Sequence, residues 1–510
     1  MRNSFKRGLI YGLATVILGL LSGHQAAFAD DECVKVGLFE SRGEKESADP
    51  AYMTDTGDSV IARNIYEPLI ALDNQFTPIP VLAASWEPSE DARSWTFHLR
   101  EGVKFHDGRE FTSADVVYTY KRLLDEKTNS PARPELSVID PEGIEAVDKY
   151  TVRFTGKEPI AELPIILSTR AAVIVPDGST TEELNTRPVG TGPFKVKEFK
   201  PNQPRRVYER NETYWQEGLP KARCIETTLI VEPMTRMAAL MSGQIDVDLV
   251  VDPTAVAPLK SNPDVELLMS EGGGFALYLA METDAKPFDD PRVREAMKIV
   301  VDRNAMVQTA VFGFGEPGND NPIPPSSPDA YRHDIIPQDI ARAKQLLAEA
   351  GYPDGIEVDL YTAKHFPGID LLGQAYAQMA AEAGIKVNII NTPTESFWDD
   401  VWMKKPFFSS YLGPRPPSSA LALTFESSSA WNETHWKRPD YDDLLKRAAA
   451  TVDPEQRRYL YQEAQRMLTE QGGAITPVFA GVIAGMRKNC TGYKPHIDTN
   501  RVDLRNVECK

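Results

Sequence analysis

The sequence predicts an α/β protein of two lobes, the first enlarged by an inserted subdomain. Three observations predict it. The chain has 510 residues, too many for one ordinary core. Its rhythm changes near residue 274, from many short strands to a regular alternation of helix and strand. Its last strand follows a helical region, so the chain is expected to return to the lobe in which it began. A content of 42% hydrophobic and 25% charged residues is that of an ordered globular protein.

The elements follow in order. Arg2, Lys6 and Arg7 precede an apolar run from Leu9 to Leu21, and Ala27-Phe28-Ala29 offers the small-x-small pattern of a signal-peptidase site. The run is shorter than the roughly 20 apolar residues of a membrane span. Residues 1–29 therefore read as a cleaved leader, with Asp30 first in the exported chain. No cysteine stands at a lipobox position, so a periplasmic chain without a lipid anchor is expected. Residues 30–60, 185–274 and 475–510 are assigned to the first lobe and 61–184 to its insertion. Within the insertion, Trp95-Thr96-Phe97-His98-Leu99-Arg100 alternates with strand period. Glu101-Gly102 and Asp107-Gly108 are turns around the next short strand. Thr112 and Asp115 form a capping box for a helix whose buried stripe is Val116, Tyr120, Leu123 and Leu124. Gly190-Thr191-Gly192-Pro193 reads as a tight backbone crossing.

Residues 275–474 form the predicted second lobe. Residues 275–281 are a strand. Asp290 caps a helix with Pro291 at its first position. Helices over 340–350 and 371–383, each ended by glycine, alternate with strands over 356–361 and 385–390. That order implies crossovers above a largely parallel sheet. Residues 313–337 read as an irregular surface loop, and Arg292 and Arg294 as solvating a helix face. Helices over 444–450 and 457–468 precede a final strand over 475–479. The lobe crossings are expected at Gly272-Gly273-Gly274 and Gly472-Gly473, where glycine absorbs hinge rotation.

Charge and chemistry narrow the function. A net charge of −18 repels nucleic acid and anionic lipid, so neither is expected as a partner. The four cysteines, Cys33, Cys224, Cys490 and Cys509, allow three pairings in an oxidising compartment. Cys490–Cys509 is preferred for its closeness in sequence. Cys33–Cys224 is preferred because each cysteine opens an apolar strand, and parallel neighbours would bring the two starts together. No CxxC, HExxH, GxSxG, phosphate loop or EF-hand loop occurs. No cofactor, metal or catalytic residue is assigned. A hydrolase built on the same frame is the alternative class, and a metal-chelate or haem binder the alternative ligand.

Four segments then carry a resemblance. They are Leu82-Ala83-Ala84-Ser85-Trp86 with residues 95–117; Pro188-Val189-Gly190-Thr191-Gly192-Pro193-Phe194; residues 287–296 with Asp302-Arg303; and residues 343–353. In this order they resemble the extracellular solute-binding proteins of the dipeptide, oligopeptide and nickel type. The resemblance implies the type II periplasmic-binding-protein fold. It further implies a monomer that captures a peptide or peptide-like solute between two lobes and closes by hinge rotation. The partner would be the permease of an ABC importer, and no chemistry would be done on the solute.

A binding cleft calls for aromatic faces and a few aimed polar groups. Trp398 lies in Phe397-Trp398-Asp399-Asp400-Val401-Trp402, where core packing competes with ligand contact at i,i+4. Tyr411, Gly413 and Arg415 follow in Tyr411-Leu412-Gly413-Pro414-Arg415-Pro416-Pro417, and Trp431 and Asn432 after them. Arg415 stands between prolines outside any helix or strand stripe, and its guanidinium fork suits a carboxylate. In dipeptide-binding members of the resembled family, an Asp after the segment like Tyr411-Leu412-Gly413 holds the ligand's amino group. Here Pro414-Arg415 follows, which implies an anionic solute. Glu40 and Ser41, after the first strand, are expected to reach the cleft from the first lobe.

Overall fold

A computed structural model describes residues 33–41 and 43–510, so the leader read over residues 1–29 lies outside the described residues. Seven strands form the first sheet. Their order is Val265–Met269, Ile483–Arg487, Val247–Asp248, Val34–Leu38, Cys224–Leu229, Arg205–Arg210 and Phe194–Glu198. Val34–Leu38 runs parallel to Cys224–Leu229, with Val34 opposite Ile225. That register brings the preceding residues together, and Cys33 is bonded to Cys224. Strands Cys490–Thr491 and Glu508–Cys509 pair antiparallel and are joined by Cys490–Cys509. Both bonds are the pairings preferred from the sequence. Val36, Leu38, Ile225 and Val247 pack on Ile61 and Ile65 of helix Thr56–Ile65.

A four-stranded antiparallel sheet, ordered Ala83–Pro88, Ser94–Leu99, Thr151–Gly156, Ile139–Asp148, carries its own core. Strand Ser94–Leu99 alternates as its sequence does, with Trp95, Phe97 and Leu99 buried. Helix Ser113–Leu124 covers this core through Val116, Tyr120 and Leu123, and Asp115 accepts the Thr112 N–H at 2.8 Å. Gly190 lies where the chain passes under helix Thr56–Ile65. A Cβ there would sit 2.0 Å from the Ile65 carbonyl oxygen, so no side chain fits.

The third sheet is ordered Gly315–Pro317, Ala474–Ala480, Phe275–Met281, Phe407–Leu412, Ile356–Thr362, Ile385–Asn391. Strand Phe275–Met281 is apolar on both faces because both are covered. Leu277, Leu279 and Met281 face helices Pro291–Ile299 and Ile369–Ala381. Ala276, Tyr278 and Ala280 face Pro417–Phe425 and Pro454–Gln471. Each buried large side chain contributes roughly 1.5–3 kcal/mol.

Four expectations are corrected. The third sheet is mixed: only the pairs of Ile356–Thr362 with Ile385–Asn391 and with Phe407–Leu412 are parallel, because Phe407–Leu412 and Ala474–Ala480 flank Phe275–Met281 antiparallel. Residues 313–337 are not a surface loop, since Asn319, Asp320 and Asn321 are buried. Asp320 pairs with Arg303 and accepts the Thr476 N–H at 3.0 Å. Arg294 is buried, and donates to the Phe288 carbonyl at 2.7 Å and the Gln471 carbonyl at 2.9 Å. The return crossing lies at Gly481-Val482, not Gly472-Gly473, because Ala474–Ala480 belongs to the third sheet and Ile483–Arg487 to the first. The crossing at 272–274 does lead from the first sheet to the third. The two crossings touch: Ser270 N–H donates to the Val482 carbonyl at 2.9 Å, and a Cβ on Gly274 would fall 1.9 Å from the Ala480 oxygen. Among the described residues no helix is long and apolar enough to cross a membrane.

Candidate functional site

A cleft of about 900 Å³ lies between the third sheet's loops and those of the other two sheets. Its aromatic wall comes from the third-sheet half. Helix Thr394–Asp400 and the turn after it bring Trp398 and Trp402 to the cleft, and strand Phe407–Leu412 brings Tyr411. The ring centroids are 5.8 Å apart for Trp398–Trp402, 5.9 Å for Trp402–Trp431 and 6.3 Å for Trp398–Tyr411, mostly edge to face. Trp398 is 41% and Trp431 48% exposed. Both rings leave large apolar faces open on the cavity wall, available for stacking. His365 backs the wall, 4.2 Å from the Phe397 ring centroid. Burial pushes its pKa down to about 4, so it is neutral.

Arg415 lies in the loop between strand Phe407–Leu412 and helix Pro417–Phe425 and lines the cleft half-buried. Its Nε donates to the Gly413 carbonyl at 3.2 Å, and no carboxylate among the described residues forms an ion pair with it. Burial lowers its pKa first of all, with Glu135 opposing. Across the cleft, Arg501 is committed to Asp498 at 3.2 Å. The exposed Arg170 donates to the Thr54 carbonyl and has no ion pair among the described residues.

Glu433 is the group that reading the sequence missed. Only 5% exposed on the cleft wall, its carboxylate accepts from Tyr278 Oη and Trp402 Nε1, each at 2.8 Å, and from Ser410 Oγ at 3.1 Å. These donors are neutral, and burial outweighs them, raising its pKa to about 7. Among the described residues the cleft wall thus carries a half-buried guanidinium and a buried carboxylate, neither in an ion pair.

The other sequence-derived positions divide. Tyr411, Gly413, Trp398 and Trp431 line the cleft with Arg415. Asn432 does not: it is buried and its Nδ2 donates to the Trp436 carbonyl at 2.7 Å, folding the loop that presents its neighbours. Glu40 and Ser41 are likewise taken up locally. Glu40 Oε1 accepts the Thr56 N–H at 2.7 Å, at the start of helix Thr56–Ile65, where the helix dipole favours an anion. Ser41 Oγ donates to Glu46 at 2.6 Å. The first-lobe side of the cleft comes instead from Ser168, Arg170 and residues 498–501. No local pattern marks those positions, because loops from distant parts of the chain meet there.

Residues 77–433 match the bacterial extracellular solute-binding proteins, family 5, middle region. The glutathione-binding protein GsiB of Escherichia coli strain K12 is 29% identical over 505 residues, covering 96% of each chain. HbpA2 of Haemophilus parasuis superposes with a TM-score of 0.80 at 23% identity, over 94% of this chain and 99% of that one. AgaA of A. tumefaciens R10, solved with agropinic acid, superposes with a TM-score of 0.70 at 26% identity, over 94% of this chain and 99% of its own.

Proposed function

The chain belongs to family 5 of the bacterial extracellular solute-binding proteins, and from that premise we propose that it captures a small, zwitterionic, peptide-like solute bearing at least one carboxylate. It is a binding protein rather than an enzyme, and it hands the solute unchanged to the permease of an ABC importer.

One observation carries the ligand class: Arg415 sits half-buried on the cleft wall with no carboxylate partner among the described residues. A guanidinium in that state is ready for a bidentate carboxylate. Glu433 supports the zwitterion, since a ligand ammonium at its edge supplies the cation that its neutral donors lack. Trp398 and Trp431 offer faces for the solute's apolar parts. The names of two relatives agree in kind: glutathione and agropinic acid both carry carboxylate. Export by a leader cut before Asp30, without lipid, belongs to the same reading, and intact mass of the secreted chain tests it.

The deciding experiment is calorimetry with glutathione and with its carboxamide derivative, on the parent chain and on Arg415→Ala. The reading expects the free acid to bind the parent, and both amidation and the substitution to weaken it. Equal affinity for acid and amide would overturn the carboxylate assignment.

A further inference from the structure

Behind the loop that carries Trp431 and Glu433 lies a second cluster of side chains. Strand Phe275–Met281 runs out into Glu282, Thr283 and Asp284, and the loop at 432–436 lies alongside. Thr283 N–H donates to the Thr434 carbonyl at 2.8 Å, which ties the two segments together, while Glu282 N–H donates to the Pro406 carbonyl at 2.9 Å. His435 stands between the acids. Its Nδ1 is 3.0 Å from Asp284 Oδ1 and its Nε2 3.8 Å from Glu282 Oε1. One donor atom from each of the three residues lies within 4.8 Å of the other two.

Glu282 is the informative member. It is 8% exposed, and its Oε1 is buried without a hydrogen-bond donor. A carboxylate oxygen withdrawn from water and left without a donor is costly, and this one is aimed at an imidazole nitrogen. Imidazole and carboxylate together are donors for divalent first-row ions. A metal-bound histidine commonly donates its other ring N–H to a carboxylate, which is the relation of Nδ1 to Asp284. Ligands around tetrahedral zinc, at about 2.0–2.1 Å from the ion, stand ~3.3 Å apart. The Glu282–His435 separation of 3.8 Å exceeds that distance by only ~0.5 Å.

We propose that Glu282 and His435, with Asp284 orienting the imidazole, bind a divalent transition-metal ion of the zinc class, its remaining positions filled by water. The competing reading is an imidazolium shared by two carboxylates, with no ion. The two differ at Nε2, which a metal requires unprotonated and the imidazolium does not.

Metal-stripped protein titrated with zinc chloride in a calorimeter, with parallel ring-nitrogen NMR of the histidines, separates them. One saturable site is expected, with the His435 Nε2 resonance moving on saturation. Asn is among the residues that best tolerate a left-handed backbone, and His435 has φ 52°. His435→Asn is therefore expected to fold and to lose the site. Glu282→Gln should weaken it at least about tenfold, and Asp284→Asn by about 10–100-fold, as loss of an outer partner does. Circular dichroism checks that each variant is folded. Identical zinc isotherms for the parent and His435→Asn, or a His435 Nε2 resonance unmoved at saturation, would overturn the proposal.

Discussion

At the scale of single residues, the proposed specificity turns on the half-buried Arg415 and the buried Glu433. Arg415→Ala should weaken ligand binding by roughly 2–5 kcal/mol, mainly through faster release, because the ligand anion is left buried and unpaired. Arg415→Lys should restore only part, lacking the fork. Thermal stability should hardly move, since among the described residues the side chain hydrogen-bonds only to Gly413 in its own loop. Calorimetry and a melting curve on the same samples check both halves. Glu433 predicts a pH dependence. A ligand ammonium favours the ionised carboxylate, so affinity should rise as pH climbs through about 7. Stability of the empty protein runs the other way. The folded pKa, about 7, lies above the ordinary 4.5, so the folded state holds more protons between those values. The unfolding free energy should therefore fall by roughly 3 kcal/mol from this group as pH rises across that window. Denaturant titrations of the parent and Glu433→Gln test this, the variant lacking that component of the slope. The place of Arg415 on the cleft wall was legible in the sequence because two prolines single it out. Glu433 was not, because its burial depends on Tyr278, Trp402 and Ser410, which come from three other places in the chain. Asn432 looked equally good beside Trp431 and proved to hold the loop together.

Secondary elements were more legible than their pairing. The capping box at Thr112 and Asp115 and the alternation at Trp95, Phe97 and Leu99 depend on local spacing, and both occur where the spacing puts them. The mixed third sheet was hidden because strand direction is settled by distant partners: 275–281 and 474–480 both read as apolar runs, whichever way they point. Residues 313–337 look like a loop by their prolines and glycines, yet Asn319, Asp320 and Asn321 satisfy buried backbone groups and Asp320 pairs with Arg303, which composition alone does not reveal. The Cys490–Cys509 bond closes the last two strands around a stretch with little regular structure. With a sequence separation of 19, its loss should cost about 3 kcal/mol in the chain-entropy model. Denaturant unfolding of the Cys490→Ser, Cys509→Ser double variant measures it, and an unchanged midpoint would mean the tail is held by packing alone.

For the whole molecule, the two halves meet beyond the cleft as well as at the crossings. Tyr461 Oη donates to Glu162 Oε2 at 2.7 Å, and Ala161 N–H to the Ala449 carbonyl at 3.1 Å, so the inserted subdomain touches helices of the opposite half. If ligand closes the lobes on each other, this contact stabilises the closed form. Tyr461→Phe should then lower affinity by about tenfold or more while leaving the cleft's own residues untouched, since a hydrogen bond to a charged group contributes about 1.5–3 kcal/mol. Small-angle scattering should show the parent contracting on ligand addition, and the variant contracting only at higher ligand concentration.

This chain is proposed to hold a carboxylate-bearing, peptide-like solute in that cleft and to leave it unchanged. Native mass spectrometry of protein purified from its own host tests it most directly, with the bound molecule released, identified and then returned to the empty protein. One small peptide-like carboxylate per chain is expected, recovered unchanged after incubation and absent from Arg415→Ala purified in the same way. A neutral or purely cationic ligand, or a ligand converted during incubation, would contradict it.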